Sequence, residues 1–164
     1  MTKLENVLGA AAAILLLMVA PANAQKRDPA PAPTHKRHAH VERQHRLIIQ
    51  VNSNDAAMMN LALNNATNVS QYYKDLHEKV SIDIVTFGPG LHMLREDTSP
   101  VKARIETLAL SAPEITFEAC GNTRESMRKA ENKEIPIVSQ AKVVSSGVVR
   151  VMELQERGWS YVKP

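Results

Sequence analysis

Short apolar runs alternate with helix-like segments five times after residue 45, and this alternation constrains the fold more than any other feature of the sequence. Strands that are separated by helices pair in parallel, because a helical crossover returns the chain in the same direction. We therefore predict an α/β fold, a three-layer α/β/α sandwich with a five-stranded parallel sheet. The predicted strands are residues 46–51, 80–87, 115–120, 142–144 and 159–163.

The segments between these runs have the apolar spacing of helices that pack on a sheet. In the first helix the stripe is Met59, Ala62, Ala66, Val69, Tyr73 and Leu76. Ser99-Pro100 predicts the start of a second helix, because serine is a good N-cap and proline suits the first helical position. The last helix follows the turn 145–147, and its predicted inward residues are Val148, Val151 and Met152.

The amino terminus has the pattern of a secretory signal peptide. Lys3 precedes an apolar run over residues 7–20, and small residues follow at Ala22 and Ala24. We predict cleavage after Ala24, export to the bacterial periplasm and no membrane span in the mature chain. The alternative is an uncleaved anchor, although the run is shorter than the roughly 20 residues that a span needs.

Residues 25–45 form a polar segment in which proline and alanine alternate over 28–33. Such a composition cannot bury a core and predicts a disordered tether, followed by one domain at 46–164. Its histidines are His35, His38, His40 and His45. They could capture a transition metal, but nothing fixes their geometry and neighbouring lysines and arginines repel a cation, so we predict no metal site.

Composition excludes several classes of function. The net charge is +3 and aromatic residues make up 4% of the chain, so no basic surface interleaved with aromatics is predicted and nucleic acid is not an expected partner. No glycine-rich phosphate-binding fingerprint occurs, and we predict no cofactor.

Cys120 is the only cysteine, and it lies between a predicted strand and a predicted helix. Gly121 follows as a turn residue, Asn122 is the predicted N-cap, paired with Glu125 in a capping box, and Thr123 lies in the first turn. A thiol at a helix start faces unpaired amide N–H groups, which lower its pKa and make it reactive. The alternative is that Cys120 is a small buried hydrophobic residue. A single cysteine cannot form an intrachain disulfide.

The carboxyl ends of parallel strands meet at one edge of a sheet, where ligands bind. That rule brings the loops 52–55, 88–92, 120–123 and 145–147 together. His92 is the histidine placed to approach Cys120 as a base or as a cation, unless it is merely a surface residue. The other predicted supporting residues of this edge are Asn54, Gly88, Gly90, Ser146 and Gly147. The two glycines of loop 88–92 allow a partner close to the backbone, or simply make the turn.

Several motifs together resemble the DsrE/DsrF-like family, and in particular its secreted bacterial branch. They are TFGPG at 86–90, FEACGNT at 117–123, SSGVV at 145–149, LQERG at 154–158 and WSYVKP at 159–164. The resemblance covers about 46–164 and implies five parallel strands in a homotrimer or homohexamer. Characterised cytoplasmic relatives pass sulfur between proteins as a cysteine persulfide, and their acceptor cysteine corresponds by motif to Cys120. Export of this chain would exclude the role in transfer RNA thiolation known for some relatives.

Three functions follow from these observations. The first is a periplasmic sulfur carrier that exchanges sulfane sulfur on Cys120 with a thiol or persulfide protein, or with a small sulfur species. The second is a non-catalytic oligomeric module that binds a small anion and in which Cys120 only packs. The third is a cysteine hydrolase using Cys120 and His92, which ranks last because no third residue orients the imidazole.

Overall fold

The computed structural model describes residues 44–164. The predicted signal peptide and nearly all of the predicted tether lie outside these residues. The described elements are, in chain order, β1 (Gln44–Val51), α1 (Ala56–Asp75), β2 (Lys79–Thr86), a 3₁₀ helix (Gly88–Leu94), α2 (Lys102–Ser111), β3 (Ile115–Cys120), α3 (Gly121–Glu131), β4 (Ala141–Val144), α4 (Gly147–Glu156) and β5 (Ser160–Val162).

The five strands form one sheet in the order β4-β3-β2-β1-β5, and every pair is parallel. This confirms the predicted three-layer fold. The chain moves in one direction across the sheet from β1 to β4 and then returns over the sheet to β5. Because parallel crossovers are right-handed, the return connection lies on the opposite face from the first three.

The two faces carry cores of different size. On the first face, α1, α2 and α3 contribute Met59, Ile105 and Met127 to a large apolar cluster that includes the inward residues of β1, β2 and β3. On the second face, α4 is the one helix among residues 44–164 that packs on the sheet, through Val151 and Leu154. Most of the hydrophobic stabilisation therefore comes from the first face.

The domain begins earlier than predicted. β1 starts at Gln44, which pairs with Lys79 of β2, so His45 belongs to the strand and not to the tether. The His45 ring stacks on Tyr73, and its Nε2 lies 2.6 Å from the carboxylate of Glu78. These contacts fix His45 in the strand. A search for apolar runs alone does not find the start of β1, because its first residues are polar.

Two helix predictions were wrong in detail. α2 begins at Lys102 rather than at Pro100; the Ser99 hydroxyl accepts the N–H of Val101 in the turn before the helix. In α4, Val148 and Met152 are about half exposed, and the buried residues are Gly147, Val151 and Leu154. The buried stripe of α4 is therefore rotated from the predicted one.

Within residues 44–164, no helix combines the length and the apolar character needed to cross a membrane.

Candidate functional site

Cys120 lies where the topology of the sheet opens a crevice. It is the last residue of β3 and pairs in register with Val144, the last residue of β4. The chain leaves β3 into α3 on one face and leaves β4 into α4 on the other. Adjacent strands whose connections go to opposite faces leave a crevice between them at their carboxyl ends, which is where ligands bind in open α/β sheets.

Two helices begin at this crevice, and both direct backbone N–H groups towards the thiol. Cys120 is itself the N-cap of α3, and its Sγ accepts the N–H of Thr123 at 3.4 Å. From the other face, the N–H of Gly147 at the start of α4 also lowers the pKa of the thiol, with a smaller contribution from the N–H of Asn122. Helix starts carry partial positive charge, so both favour a thiolate over a thiol.

The pKa of Cys120 reflects a competition. Burial is the largest single influence and raises the pKa, because only 4% of the residue is exposed. The hydroxyl of Thr123 and the N–H groups of Gly147, Thr123 and Asn122 act in the opposite direction and together outweigh burial. The pKa of Cys120 is therefore below its ordinary value, as the sequence predicts for a thiol at a helix start.

Thr123 connects the thiol to the loop that follows β2. Its Oγ1 accepts the N–H of Gly88 at 2.9 Å, while its own hydroxyl donates to the sulfur. Gly88 has a φ of +52°, a left-handed conformation that glycine adopts without strain and that directs its N–H towards Thr123. Two of the predicted supporting residues, Gly88 and Thr123, therefore belong to one hydrogen-bonded chain that ends on Cys120.

Two other glycines of the predicted site are needed because there is no space for a side chain. A Cβ on Gly147 would lie 2.9 Å from the Phe87 ring and 3.2 Å from the Cβ of Cys120. A Cβ on Gly90 would lie 2.2 Å from the carbonyl oxygen of Val51. Gly147 therefore lets α4 begin directly against the thiol, whereas Gly90 lets the 3₁₀ helix pack on the end of β1.

Asn122 is not the N-cap of α3, and the predicted capping box was wrong. Cys120 takes that role, and the Asn122 N–H instead bonds the carbonyl of Ser145 at 3.1 Å. Glu125 faces away from the helix start; a hydrogen bond from Arg128 lowers the pKa of Glu125 to about 2. The N-cap of α3 therefore lies two residues earlier than predicted and the helix begins at Gly121, so that the sulfur occupies the capping position.

Of the remaining predicted residues, only Ser146 supports the site directly, because it caps α4 by accepting the N–H of Val149 at 3.5 Å. The His92 ring is hydrogen-bonded to Thr98 at 3.1 Å and is not among the hydrogen-bonding partners of Cys120 within residues 44–164. Asn54 is exposed in the β1–α1 loop. The structure therefore does not bring His92 or Asn54 into hydrogen-bonding contact with the thiol.

A charged cluster beside the thiol was not predicted. Glu118 lies two residues before Cys120, on the same face of β3, and its carboxylate accepts Nε of Arg150 from α4 at 2.7 Å. Arg150 also donates to Asp83 of β2 at 3.1 Å, and the Thr116 hydroxyl bonds the same carboxylate. The sequence contained a signal for this cluster. Asp83 in VSIDIV and Glu118 in ITFEAC are acidic residues within otherwise apolar strands, and a buried charge needs a partner of opposite sign.

A cleft of about 450 Å³ opens between the start of α4 and the ends of β3 and β4. It is lined by Glu118, Lys142, Val144, Ser145, Ser146, Val149, Arg150 and Glu153. Cys120 does not itself line this cleft. Two of the lining residues adjoin it, because Glu118 precedes it by two residues and Val144 is its partner in register.

The comparisons with known proteins support the fold and nothing finer. No protein-family model matches the chain, and no curated protein matches it. Among solved structures it is similar to a protein of unknown function, MTH1491, from Methanobacterium thermoautotrophicum, with 26% sequence identity and a TM-score of 0.61. The similarity covers 73% of this chain and 99% of that protein. The resemblance to DsrE/DsrF-like proteins therefore stays a prediction.

Proposed function

We propose that this protein is an exported sulfur carrier that holds sulfane sulfur as a persulfide on Cys120. The observation that carries the proposal is the convergence of two helix starts on one thiol, because it favours the thiolate that sulfur exchange requires. The resemblance of the cysteine motif to DsrE/DsrF-like proteins is what points to sulfur as the cargo. The signal-like amino terminus is what points to the periplasm.

The transfer step needs no metal and no second cysteine in the chain. The Cys120 thiolate attacks the outer sulfur of a donor persulfide, so that a new S–S bond forms to Cys120 and the donor's S–S bond breaks. The electron pair of the broken bond stays on the remaining donor sulfur, which leaves as a thiolate. One thiolate is consumed and one is released, so there is no net oxidation. The N–H groups of Thr123 and Gly147 lie where they favour the attacking anion.

Release is the reverse exchange, in which a thiol of a partner protein takes the outer sulfur and Cys120 returns as the thiolate. We expect the carrier to work as a homotrimer or homohexamer, as the family resemblance implies. Because the thiol is almost fully buried in one chain, the start of α4 has to move, or a donor has to enter beside it, before exchange takes place.

Intact-mass analysis tests the proposal directly. After incubation with polysulfide and removal of the reagent, we expect the protein to gain one or more sulfur atoms and to lose them on treatment with a reducing thiol. Cys120→Ser should gain none. The proposal fails if the wild-type mass does not change, or if Cys120→Ser gains the same mass.

The alkylation rate measured against pH tests the electrostatic basis of the site. We expect iodoacetamide to react with Cys120 with a midpoint below about pH 8.5, the ordinary value for a thiol. Thr123→Val removes the hydroxyl that donates to the sulfur, so the midpoint should rise and alkylation at neutral pH should slow several-fold. Thr107→Val, in which the exposed hydroxyl of α2 is removed, is the matched control and should leave the profile unchanged.

One observation favours a second function: the burial of Cys120 fits a packing residue in a module that binds a small anion at the two helix starts. That protein would react with iodoacetamide only above about pH 8.5 or only when unfolded. A Cys120→Ala protein that keeps its fold while the wild type accepts no sulfur would favour this function over the carrier.

A further inference from the structure

The cleft beside Cys120 presents charges of both signs at fixed places. Its lining includes two carboxylates, from Glu118 and Glu153, and two cations, from Lys142 and Arg150. A site with balanced and separated charges complements a ligand that itself carries both an ammonium and a carboxylate.

The charges of this cleft differ in how far the protein already uses them. Arg150 is engaged by the buried carboxylates of Glu118 and Asp83 at 2.7 and 3.1 Å. Glu153 lies 4.0 Å from Arg150 and is about half exposed. Lys142 is the partner in register of Glu118, and its charge acts on that carboxylate only as a minor influence and without a close ion pair among residues 44–164. Lys142 and Glu153 are therefore the two groups with charge to offer a ligand, one on β4 and the other on α4.

The inner wall of the cleft disfavours a dianion. Asp83 and Glu118 share a single hydrogen-bonded arginine, and Lys142 acts on Glu118 only as a minor influence, so the negative charge of this buried cluster is incompletely balanced. Burial, and then the nearby charge of Asp83, raise the pKa of Glu118 in spite of the bond from Arg150. An inorganic dianion such as thiosulfate would meet this excess charge, whereas a zwitterion would not.

We propose that this cleft binds the sulfur donor and selects a low-molecular-weight persulfide that carries both an ammonium and a carboxylate, that is, an amino-acid persulfide. The carboxylate of the donor pairs with Lys142 and its ammonium pairs with Glu153. The persulfide then lies along the cleft towards Ser145 and Ser146, directly before the start of α4 that lies against Cys120. The inference rests on the proposed sulfur-carrier function and adds the class of donor to it.

Charge-neutral variants separate the two recognition contacts. Sulfur loading of the full chain is followed by intact mass with cysteine persulfide, with the persulfide of 3-mercaptopropionate, which lacks the ammonium, and with inorganic polysulfide. Lys142→Gln should slow loading from both organic donors about fivefold, because both carry a carboxylate. Glu153→Gln should slow loading from cysteine persulfide alone by a similar factor.

Glu156→Gln is the matched control, because Glu156 is exposed on the same helix and does not line the cleft. It should leave all rates unchanged. Inorganic polysulfide is an anion without an ammonium group, so Glu153→Gln should not slow its loading. The proposal is overturned if neither cleft variant changes the rates, or if both variants slow inorganic polysulfide as much as cysteine persulfide.

A binding measurement distinguishes failure of this inference from failure of the carrier function. S-methylcysteine cannot transfer sulfane sulfur, and its binding to Cys120→Ser is measured by titration calorimetry. We expect binding that weakens about fivefold in either Lys142→Gln or Glu153→Gln. Sulfur loading without this binding would reject the cleft as the donor site and keep the carrier, whereas binding without loading would reject the carrier and keep an amino-acid site.

Discussion

Two arginines of this domain each bind two carboxylates, and the two clusters are built in opposite ways. Around Arg95, the arginine is 1% exposed while its partners Asp97 and Glu131 are 28% and 33% exposed. Around Arg150, the arginine is 23% exposed while Asp83 and Glu118 are 8% and 7% exposed. In the first cluster the cation is buried and the anions reach water; in the second the anions are buried.

The difference reverses the effect of pH. Hydrogen bonds from Arg95 lower the pKa of Asp97 and of Glu131, so these groups stabilise the fold above their ordinary pKa of about 4 and lose that effect as the pH falls below it. Burial raises the pKa of Glu118, so the folded protein takes up a proton at that site before the unfolded chain does. Acidification from neutral pH therefore favours folding through Glu118 and disfavours it through Asp97.

The two arginine clusters lie in different parts of the domain. Arg95 lies directly after the 3₁₀ helix and reaches Glu131 at the end of α3, and its backbone pairs with Ile137. It holds together connections on the well-packed face. Arg150 lies on α4, which packs on the other face of the sheet and begins against Cys120. The cluster with exposed carboxylates therefore lies among connections of the first face, whereas the cluster with buried and incompletely balanced carboxylates lies beside the thiol.

Arg150→Met should have the largest effect, because it leaves two buried carboxylates without a cation. We expect the free energy of unfolding at pH 7 to fall by about 3–5 kcal/mol. The loss should shrink between about pH 7 and pH 5, because carboxylates that are buried without a partner take up protons well above their ordinary pKa. Urea denaturation across this pH range measures it.

Arg157→Met is the control for this variant, since Arg157 is exposed at the end of the same helix. It should change the unfolding free energy by no more than about 0.5 kcal/mol. An equally small loss in Arg150→Met would mean that water reaches Asp83 and Glu118, and the contrast between the two clusters would disappear.

Arg95→Met should have a smaller effect, because Asp97 and Glu131 can turn to water when the arginine is removed. We expect a loss of about 2–3 kcal/mol at pH 7, since methionine keeps much of the apolar packing of the side chain. The loss should stay constant down to about pH 4 and shrink only below it, where these carboxylates become protonated. Urea denaturation at several pH values checks it, and recovery already at pH 5 to 6 would contradict it.

The fold could be predicted from the sequence because its signals are local and repeated. Apolar runs such as residues 47–49 separate helices with caps, and parallel order follows from that alternation. The rotation of α4 could not be predicted, because Val148 and Met152 are as apolar as Val151 and only the second face of the sheet decides which residues are buried.

Only part of the site could be predicted, because topology brings some of its residues together and long-range side-chain contacts bring the others. Cys120, Thr123 and Gly147 come together because strand ends in a parallel sheet share an edge, which is a rule of topology. The Asp83–Glu118–Arg150 cluster joins three elements distant in sequence, and no local pattern specifies that pairing. His92 and Asn54 lie on the predicted loops, but loop membership does not fix the direction of a side chain.

Glu118→Gln should have the smallest effect, and it is the most direct test of the contrast. The variant leaves Arg150 paired one-to-one with Asp83 and removes a buried charge, so the free energy of unfolding at pH 7 should change by less than about 1 kcal/mol. As the pH falls towards the ordinary glutamate pKa of about 4.3, the wild type should gain stability relative to the variant, because only the wild type takes up a proton at this site on folding. Asp97→Asn is the matched comparison; it should lose stability at pH 7 and recover below about pH 4. If Glu118→Gln behaves like Asp97→Asn, Glu118 is an ordinary stabilising partner of Arg150, and the cleft has no excess negative charge with which to reject a dianion.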